Sequence, residues 1–418
     1  MAGREFTIAA PRLLLDGRLV GPGAVAIEGG RIRRVLANAP ARPDILMPDI
    51  LLQGGVLTPG LIDTQNNGAF GVDFAAAEGP DWPMVLRGLA RRGVTAVLPT
   101  IITAPLPAIL EAMARIESAV SEAGARRSPE ARILGVHLEG PFIAEARKGA
   151  HRAEWMRDPN PQAIDALLTD APTRRMLRMI TLAPERAHAP AAIARLAGAG
   201  VVVSIGHSDA TATDALRAAD AGASMVTHLF NAMRPFGHRD PALPGVALTD
   251  SRLFVGLIVD GHHVDPIGCR LAFQAAGARI VAVSDSILVA GLEAGCVRQF
   301  GGAPVRMDPD GVGRRPDGTI AGAGIVLDEG IRRMIAAGID PALVLTAATE
   351  TPARAIRSAD RGRLSAGAHA DLVWWDEGWR PRRIWIGGQE EWGQEVGGQE
   401  VPAGEASAPD QKSFLPEG

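Results

Sequence analysis

The sequence predicts an α/β fold, a (β/α)8 TIM-like barrel carrying a small β-sandwich domain built from both chain ends. Three observations predict it. Between Thr58 and Thr349, apolar strand-like runs alternate with Ala-, Arg- and Leu-rich stretches of helical period, as in TAVLPTII, LPAILEAMARIESAV and RILGVHLEG. A parallel barrel wrapped in helices produces that alternation. Short β-type runs with Gly-rich turns flank the region on both sides. Finally, Glu, His and Asp residues stand just past the apolar runs, at the C-terminal strand ends where such barrels assemble their chemistry.

Taken in order, residues 1–57 read as the N-terminal part of the β domain, in FTIAAPRLLLDG, GAVAIEGGRIRRVL and DILLQGGVLTPG. Residues 58–349 read as the catalytic barrel, whose later strands lie in MITLAPE, GVVVSIGHS, SMVTHLFNAM, LFVGLIVDGHHVD and RIVAVSDSI. Residues 350–388 return to strands, in GRLSAGAHADLVWWD and PRRIWIGGQ, so the two ends of the chain are expected to pair. From 389 to 418 the chain is poor in apolar residues and repeats Gly-Gln-Glu, which predicts a disordered tail. Trp392 and Phe414 offer the other reading of that tail, a docking segment.

Composition narrows the function. A chain of 418 residues with a formal charge of -4 has no basic bias, which argues against nucleic acid as a partner. No apolar run reaches the ~18 residues of a membrane span, and the first residues lack the pattern of a secretory leader. Cys269 and Cys296 form no disulfide framework and no CxxC pair. These features together lead to the expectation of a cytoplasmic protein with no membrane partner.

Three residues carry the chemical reading. Glu139 follows RILGVHL, His207 follows GVVVSIG and His228 follows SMVT. One carboxylate and two imidazoles supply three ligands to a divalent metal and leave a fourth position for water, the pattern of a catalytic rather than a structural site. Zn2+ suits this donor set, and Fe2+, Co2+ or Mn2+ also fit it. Two-metal barrel hydrolases commonly use a bridging carboxylated lysine and a His-x-His pair on the first strand. The only lysines here are Lys148 and Lys412, and the first strand carries Gln65 and Asn67 instead. Neutral amides bind zinc poorly, so one metal is expected, with Gln65 and Asn67 supporting the site by hydrogen bonds or simply forming a turn.

Asp285, at the end of RIVAVSDS, is placed to act as general base, or else to cap a following helix. His151 lies in a long loop after Glu139, where it either donates to a substrate oxygen or decorates the surface. Asn231, Ala232 and Arg239, in FNAMRPFGHRD, together with His263, suit an anionic group such as a phosphate. His238 and His262 read as surface residues.

Through PGLIDTQNNG, GVTAVLPTIIT, GVHLEGPF with KGAH, SIGHSDAT, THLFNAM, DGHHVD, SDSILVAG and GRLSAGAHADLV, the chain resembles the N-acetylglucosamine-6-phosphate deacetylases of the amidohydrolase superfamily. The resemblance runs from the first strands to about residue 375. It implies that Glu139, His207 and His228 hold the metal, that Asp285 is the acid/base and that His151 meets the acetyl carbonyl. It further implies that Asn231, Ala232, Arg239 and His263 contact the sugar phosphate, with Arg239 reaching the neighbouring site of a homodimer. Gln65 and Asn67 match the branch with one metal. Two segments depart from the pattern, SILVAG after Asp285 and IAEARKGAH before His151, and both bear on substrate identity rather than on reaction type. The expected substrate is N-acetylglucosamine 6-phosphate. The galactosamine epimer is the next alternative, and a catalytically silent sugar-phosphate-binding scaffold is the alternative outside enzymology. A cyclic-amide hydrolase of the dihydroorotase type is disfavoured by the missing His-x-His pair and bridging lysine.

Overall fold

The computed structural model describes residues 5–38, 48–126 and 128–393. Eight parallel strands form its frame: β1 Leu61–Asn66, β2 Val94–Ile102, β3 Val136–Glu139, β4 Leu177–Leu182, β5 Val202–Ile205, β6 Met225–Val226, β7 Phe254–Ile258 and β8 Ile280–Val283. Each pairs with the next in chain order. Both faces of these strands are covered, which is why they read as nearly continuous apolar runs rather than as alternating ones. Ile62, Leu98, Met179, Val202 and Val281 fill the barrel interior, while Val97, Ile101, Val203 and Leu257 face the surrounding helices. Each fully buried Leu, Ile or Val side chain contributes roughly 1.5–3 kcal/mol.

The ring closes between β8 and β1. The Asp285 backbone N-H donates to the Gln65 carbonyl at 2.9 Å, and that of Asn67 donates to the Ser286 carbonyl at 2.8 Å. Beneath this seam the buried Asp63 carboxylate accepts from the Ser284 amide at 3.2 Å and its hydroxyl at 2.5 Å, and from Asn66 Nδ2 at 3.0 Å. Burial nonetheless pushes the Asp63 carboxyl up to about 6.

The outer helices start where the sequence supplies side-chain acceptors. Asn160 accepts from the Ala163 amide, Asp265 from that of Ile267, and Thr211 forms a reciprocal capping box with Asp214, each satisfying amides that the first helical turn leaves free. The helix Glu350–Ala355 packs under the barrel, where Ala353, Ala355 and Ile356 join the interior core. Residues 350–356 thus lie with the barrel, although the sequence reading grouped them with the β domain.

That domain joins the chain ends as expected. One sheet runs Arg31–Ala37, Gly23–Glu28, Phe6–Ala10, Ile50–Leu51. The other runs Gln389–Gly393, Pro381–Ile386, Leu372–Trp375, Val56–Pro59, Leu13–Leu15, Arg18–Val20. Ile8, Val25 and Ile27 of the first pack with Leu57, Leu372, Trp374 and Trp385 of the second. The strand Gln389–Gly393 pairs antiparallel with Pro381–Ile386. The sheet therefore extends five residues into the segment expected to be a tail, because strand pairing satisfies backbone groups whatever the side chains. The rest of that segment, including Phe414, lies outside the described residues.

A further sheet stands between β8 and the helix Leu327–Ala336. Its strands Val297–Phe300, Ala303–Met307, Val312–Arg314 and Ile320–Ala323 form an antiparallel meander. The alternating barrel pattern contains no such sheet. Three of the first strand's four residues are exposed, so it shows no apolar period from which to read it.

Candidate active site

At the C-terminal mouth of the barrel, β3 ends on Glu139, and His207, His228 and Asp285 each follow two residues after β5, β6 and β8. His207, His228 and Asp285 have φ of 49°, 26° and 48°. Non-glycine residues seldom adopt this left-handed conformation, and three at one mouth mark backbone strain concentrated where side chains must be aimed inward. Asp285 is held from both flanks: its N-H bonds β1, and its carbonyl accepts from the Ala323 N-H of the added sheet at 2.9 Å.

Glu139 Oε1 lies 3.3 Å from His207 Nε2 and 3.1 Å from His228 Nε2, and the two Nε2 atoms are 3.0 Å apart. All three side chains are buried. His207 Nδ1 stands 2.9 Å from the Arg147 carbonyl, so it carries the proton and Nε2 presents its lone pair to the centre. Imidazole and carboxylate lone pairs converging on one point repel unless a cation sits among them. The donor set therefore fits a divalent metal. With no cation among them the two rings can meet Glu139 only as N-H donors; burial works against the Glu139 charge, but hydrogen bonds from the two histidines then outweigh it and hold the carboxyl well below its usual range.

Gln65 Nε2 donates to Glu139 Oε1 at 2.9 Å and lies 3.2 Å from Asp285 Oδ1, while Asn67 Nδ2 donates to the same Asp285 oxygen at 3.0 Å. These amides present N-H groups to the two carboxylates, where a second cation would need acceptors. Gln65 lies within β1 and Asn67 directly after it, and the side-chain amides of both reach the carboxylates. The capping reading of Asp285 gives way, since the next helix begins at Leu327. Burial, and then the nearby Glu139 charge, push the Asp285 carboxyl up to about 7.

His151 is buried rather than on the surface. Its Nδ1 accepts from the Thr103 backbone N-H at 3.3 Å, with the Thr103 hydroxyl at 2.8 Å. Burial pulls its pKa down to about 3, so the ring is neutral. A neutral ring accepting at Nδ1 carries its proton on Nε2, as a donor.

The pocket over this centre has two ends set by strand order. Asn67, Ile102 and His151 stand near β1, β2 and β3, whereas Asn231, Ala232, Ile258 and His263 stand near β6 and β7. His263 Nδ1 is 2.7 Å from Asp260 Oδ2. Burial lowers the His263 pKa, but this partner outweighs it and the net shift is upward. Arg239 is exposed and absent from the pocket lining of its own chain. His238, His262 and Lys148 are exposed as well.

Sequence reasoning missed Ile102, Phe300, Ile320 and Ala321, which also line the pocket. Three of them come from the added sheet, whose first strand left no periodic signal. It also missed His137, buried two residues before Glu139 and bonded through Nε2 to the Thr181 hydroxyl at 2.8 Å. Strand alternation, which puts positions i and i+2 on one face, is a signal that finds it. The SILVAG segment does not touch the pocket directly: Ile287, Leu288 and Val289 pack behind Phe300 with Val305 and Met307.

Residues 56–391 match the sequence model of the Amidohydrolase family. Among curated relatives, the chain is 36% identical over 349 residues to N-acetylglucosamine-6-phosphate deacetylase of Bos taurus, covering 81% of this chain and 84% of that one. It is 38% identical over 340 residues to N-acetylgalactosamine-6-phosphate deacetylase of Escherichia coli O157:H7, covering 80% and 87%. Among solved structures it is similar to a mutant N-acetyl-D-glucosamine-6-phosphate deacetylase of Mycobacterium smegmatis in complex with N-acetyl-D-glucosamine-6-phosphate. The TM-score is 0.84 at 35% identity, over 93% of this chain and 100% of that one.

Proposed function

The chain belongs to the amidohydrolase family, and from that premise we propose that it hydrolyses the acetamide of N-acetylglucosamine 6-phosphate to glucosamine 6-phosphate and acetate. The observation that carries this reading is the convergence of Glu139, His207 and His228 beside Asp285 and a neutral His151, at the mouth of a barrel similar to a sugar-phosphate complex. Glu139, His207 and His228 are the residues that would hold one divalent metal, with Zn2+ the first choice for two imidazoles and a carboxylate. When bound, the ion supplies a water of lowered pKa and polarises the acetamide carbonyl.

The chain's own groups then divide the work. Asp285 takes the proton of the attacking water and returns it to the leaving amine, so that the product departs as a neutral amine rather than an amide anion. His151 donates its Nε2-H to the carbonyl oxygen as negative charge grows there. Gln65 and Asn67 hold the Asp285 carboxylate toward the centre. Asn231, Ala232 and His263 receive the sugar phosphate, and Arg239 completes that end in the neighbouring site of a homodimer, which accounts for its exposure in one chain. Cytoplasmic location belongs to the same reading, and no helix among the described residues is long and apolar enough to cross a membrane.

The galactosamine epimer is a second reading, favoured by the E. coli relative. Acetate release is measured from N-acetylglucosamine 6-phosphate, its galactosamine epimer and unphosphorylated N-acetylglucosamine, before and after chelation. Chelator-sensitive release that requires the phosphate and is faster for the gluco epimer is the expected result. Faster release from the galacto epimer selects the second reading, and no release from any of the three by metal-loaded protein overturns both.

A further inference from the structure

The added sheet and the end of β2 put an apolar wall into the pocket beside His151. Phe300, only 2% exposed, ends the first strand of that sheet; Ile102 and Ala321 pack against the apolar cluster it belongs to and line the same pocket. The seat is close: a Cβ placed on Gly301 would come within 2.9 Å of Ile102 Cδ1. The sheet is also tied to the loop of His151, because Arg315 Nη2 donates to the Ala150 carbonyl at 2.7 Å. Behind Phe300 stand Ile287 and Val289, whose bulk comes from the SILVAG segment.

Strand order decides which part of a substrate meets this wall. Asn231, Ala232 and His263 occupy the β6–β7 end of the pocket, so a sugar phosphate seated there directs its amide across Glu139, His207 and His228 toward β2 and β3. The carbonyl then meets His151, whose Nδ1 is bonded to Thr103, the residue next to Ile102 in the chain. The carbon chain attached to that carbonyl has one direction left, toward Ile102 and Phe300. Resting on the deacetylase reading above, we propose that Phe300 and Ile102 form an acyl gauge that limits the substrate to short N-acyl groups. The added sheet, rather than the barrel, then sets which acyl chain is accepted.

An apolar wall discriminates chain length because each excluded methylene needs room that a packed ring does not yield. Such pockets separate substrates by roughly 10–200-fold per methylene. The test compares kcat/KM for the N-acetyl, N-propanoyl and N-butanoyl derivatives of glucosamine 6-phosphate in metal-loaded wild type, Phe300→Ala and Ile102→Ala. Ile102 is only half-buried, so its variant keeps the test usable if Phe300→Ala fails to fold. In wild type the butanoyl-to-acetyl ratio is expected to lie at least tenfold below unity, and in either variant it rises by about tenfold or more. Wild type that hydrolyses the N-acetyl compound, with folded variants whose ratio does not move, overturns the gauge and leaves the deacetylase reading intact. Failure of wild type on all three compounds overturns the deacetylase reading, and the gauge falls with it.

Discussion

Replacing Asp285 by Asn should separate chemistry from architecture. The Asp285 carboxylate makes no part of the Glu139, His207 and His228 cluster, and an amide oxygen in the same place can still accept from Asn67 Nδ2 and Gln65 Nε2. Metal content should therefore stay at the wild-type level. What is lost is the group that accepts and returns a proton. General acid-base catalysis of this kind accounts for roughly 10²–10⁴ in rate, which corresponds to about 3–5 kcal/mol of barrier. The same change should not destabilise the metal-free fold. Burial and the Glu139 charge raise the Asp285 carboxyl from 3.8 to about 7, so in the folded state it resists ionisation. An acid whose folded pKa lies above its unfolded value binds more protons when folded between those two pH values, and there stability falls as pH rises. The cost is absent below pH 3.8 and complete above about 7, on the order of 4 kcal/mol at most for a shift of this size. Metal-free Asp285→Asn should then match wild type near pH 4 and melt above it at pH 8. The assay pairs acetate release and metal analysis on the loaded protein with thermal melts of the stripped one. Turnover within tenfold of wild type, or loss of metal along with activity, would refute the assigned role.

Other expectations follow from the same geometry. His151→Phe should lower kcat by roughly 10²–10³ while leaving KM nearly unchanged, because an oxyanion donor acts mainly in the transition state; a tenfold rise in KM at unaltered kcat would point to ground-state binding instead. Asp260→Asn should weaken inorganic phosphate binding at lower pH than in wild type. Burial lowers the His263 pKa and the Asp260 carboxylate more than offsets it, so the imidazolium survives above its ordinary 6.5 only while that partner is charged. The stability that His263 draws from the pair is complete below 6.5 and fades as pH rises through its elevated pKa. For Asp260, whose net shift is downward against burial, the gain is present above 3.8 and fades as pH falls through its depressed pKa. Identical pH profiles for phosphate binding in wild type and variant would contradict this coupling. Arg92→Ala should cost about 3 kcal/mol in denaturant unfolding, since it strips the partner from buried Asp328, which Arg92 Nε meets at 3.0 and 2.9 Å. A loss below about 1 kcal/mol would show that Asp328 simply takes up a proton.

The barrel was legible because its strands are buried on both faces and its helices on one, and each condition imposes a period that a linear chain displays. Glu139, His207, His228 and Asp285 were legible for a related reason. A parallel barrel delivers every C-terminal strand end to one mouth, so chemistry-bearing residues at those ends in sequence become neighbours in space. Gln65 and Asn67 were only half legible. Their types argued against a second metal, but a turn and a brace look alike until the carboxylates they touch are located.

By itself, then, the sequence determined the fold class, the pairing of the chain ends and the residue types available at the barrel mouth, because these follow from local period and strand-end position. Tertiary structure alone decided the rest. The His207 and His151 tautomers depend on the Arg147 carbonyl and the Thr103 amide, 60 and 48 residues away in the chain. The upward shift of the Asp285 carboxyl depends on burial and on Glu139. The apolar wall depends on Phe300, from a strand with no apolar period, standing with Ile102 of β2 in one pocket lining. Each is a contact between distant segments, and a sequence pattern records what one segment prefers, not what it will touch.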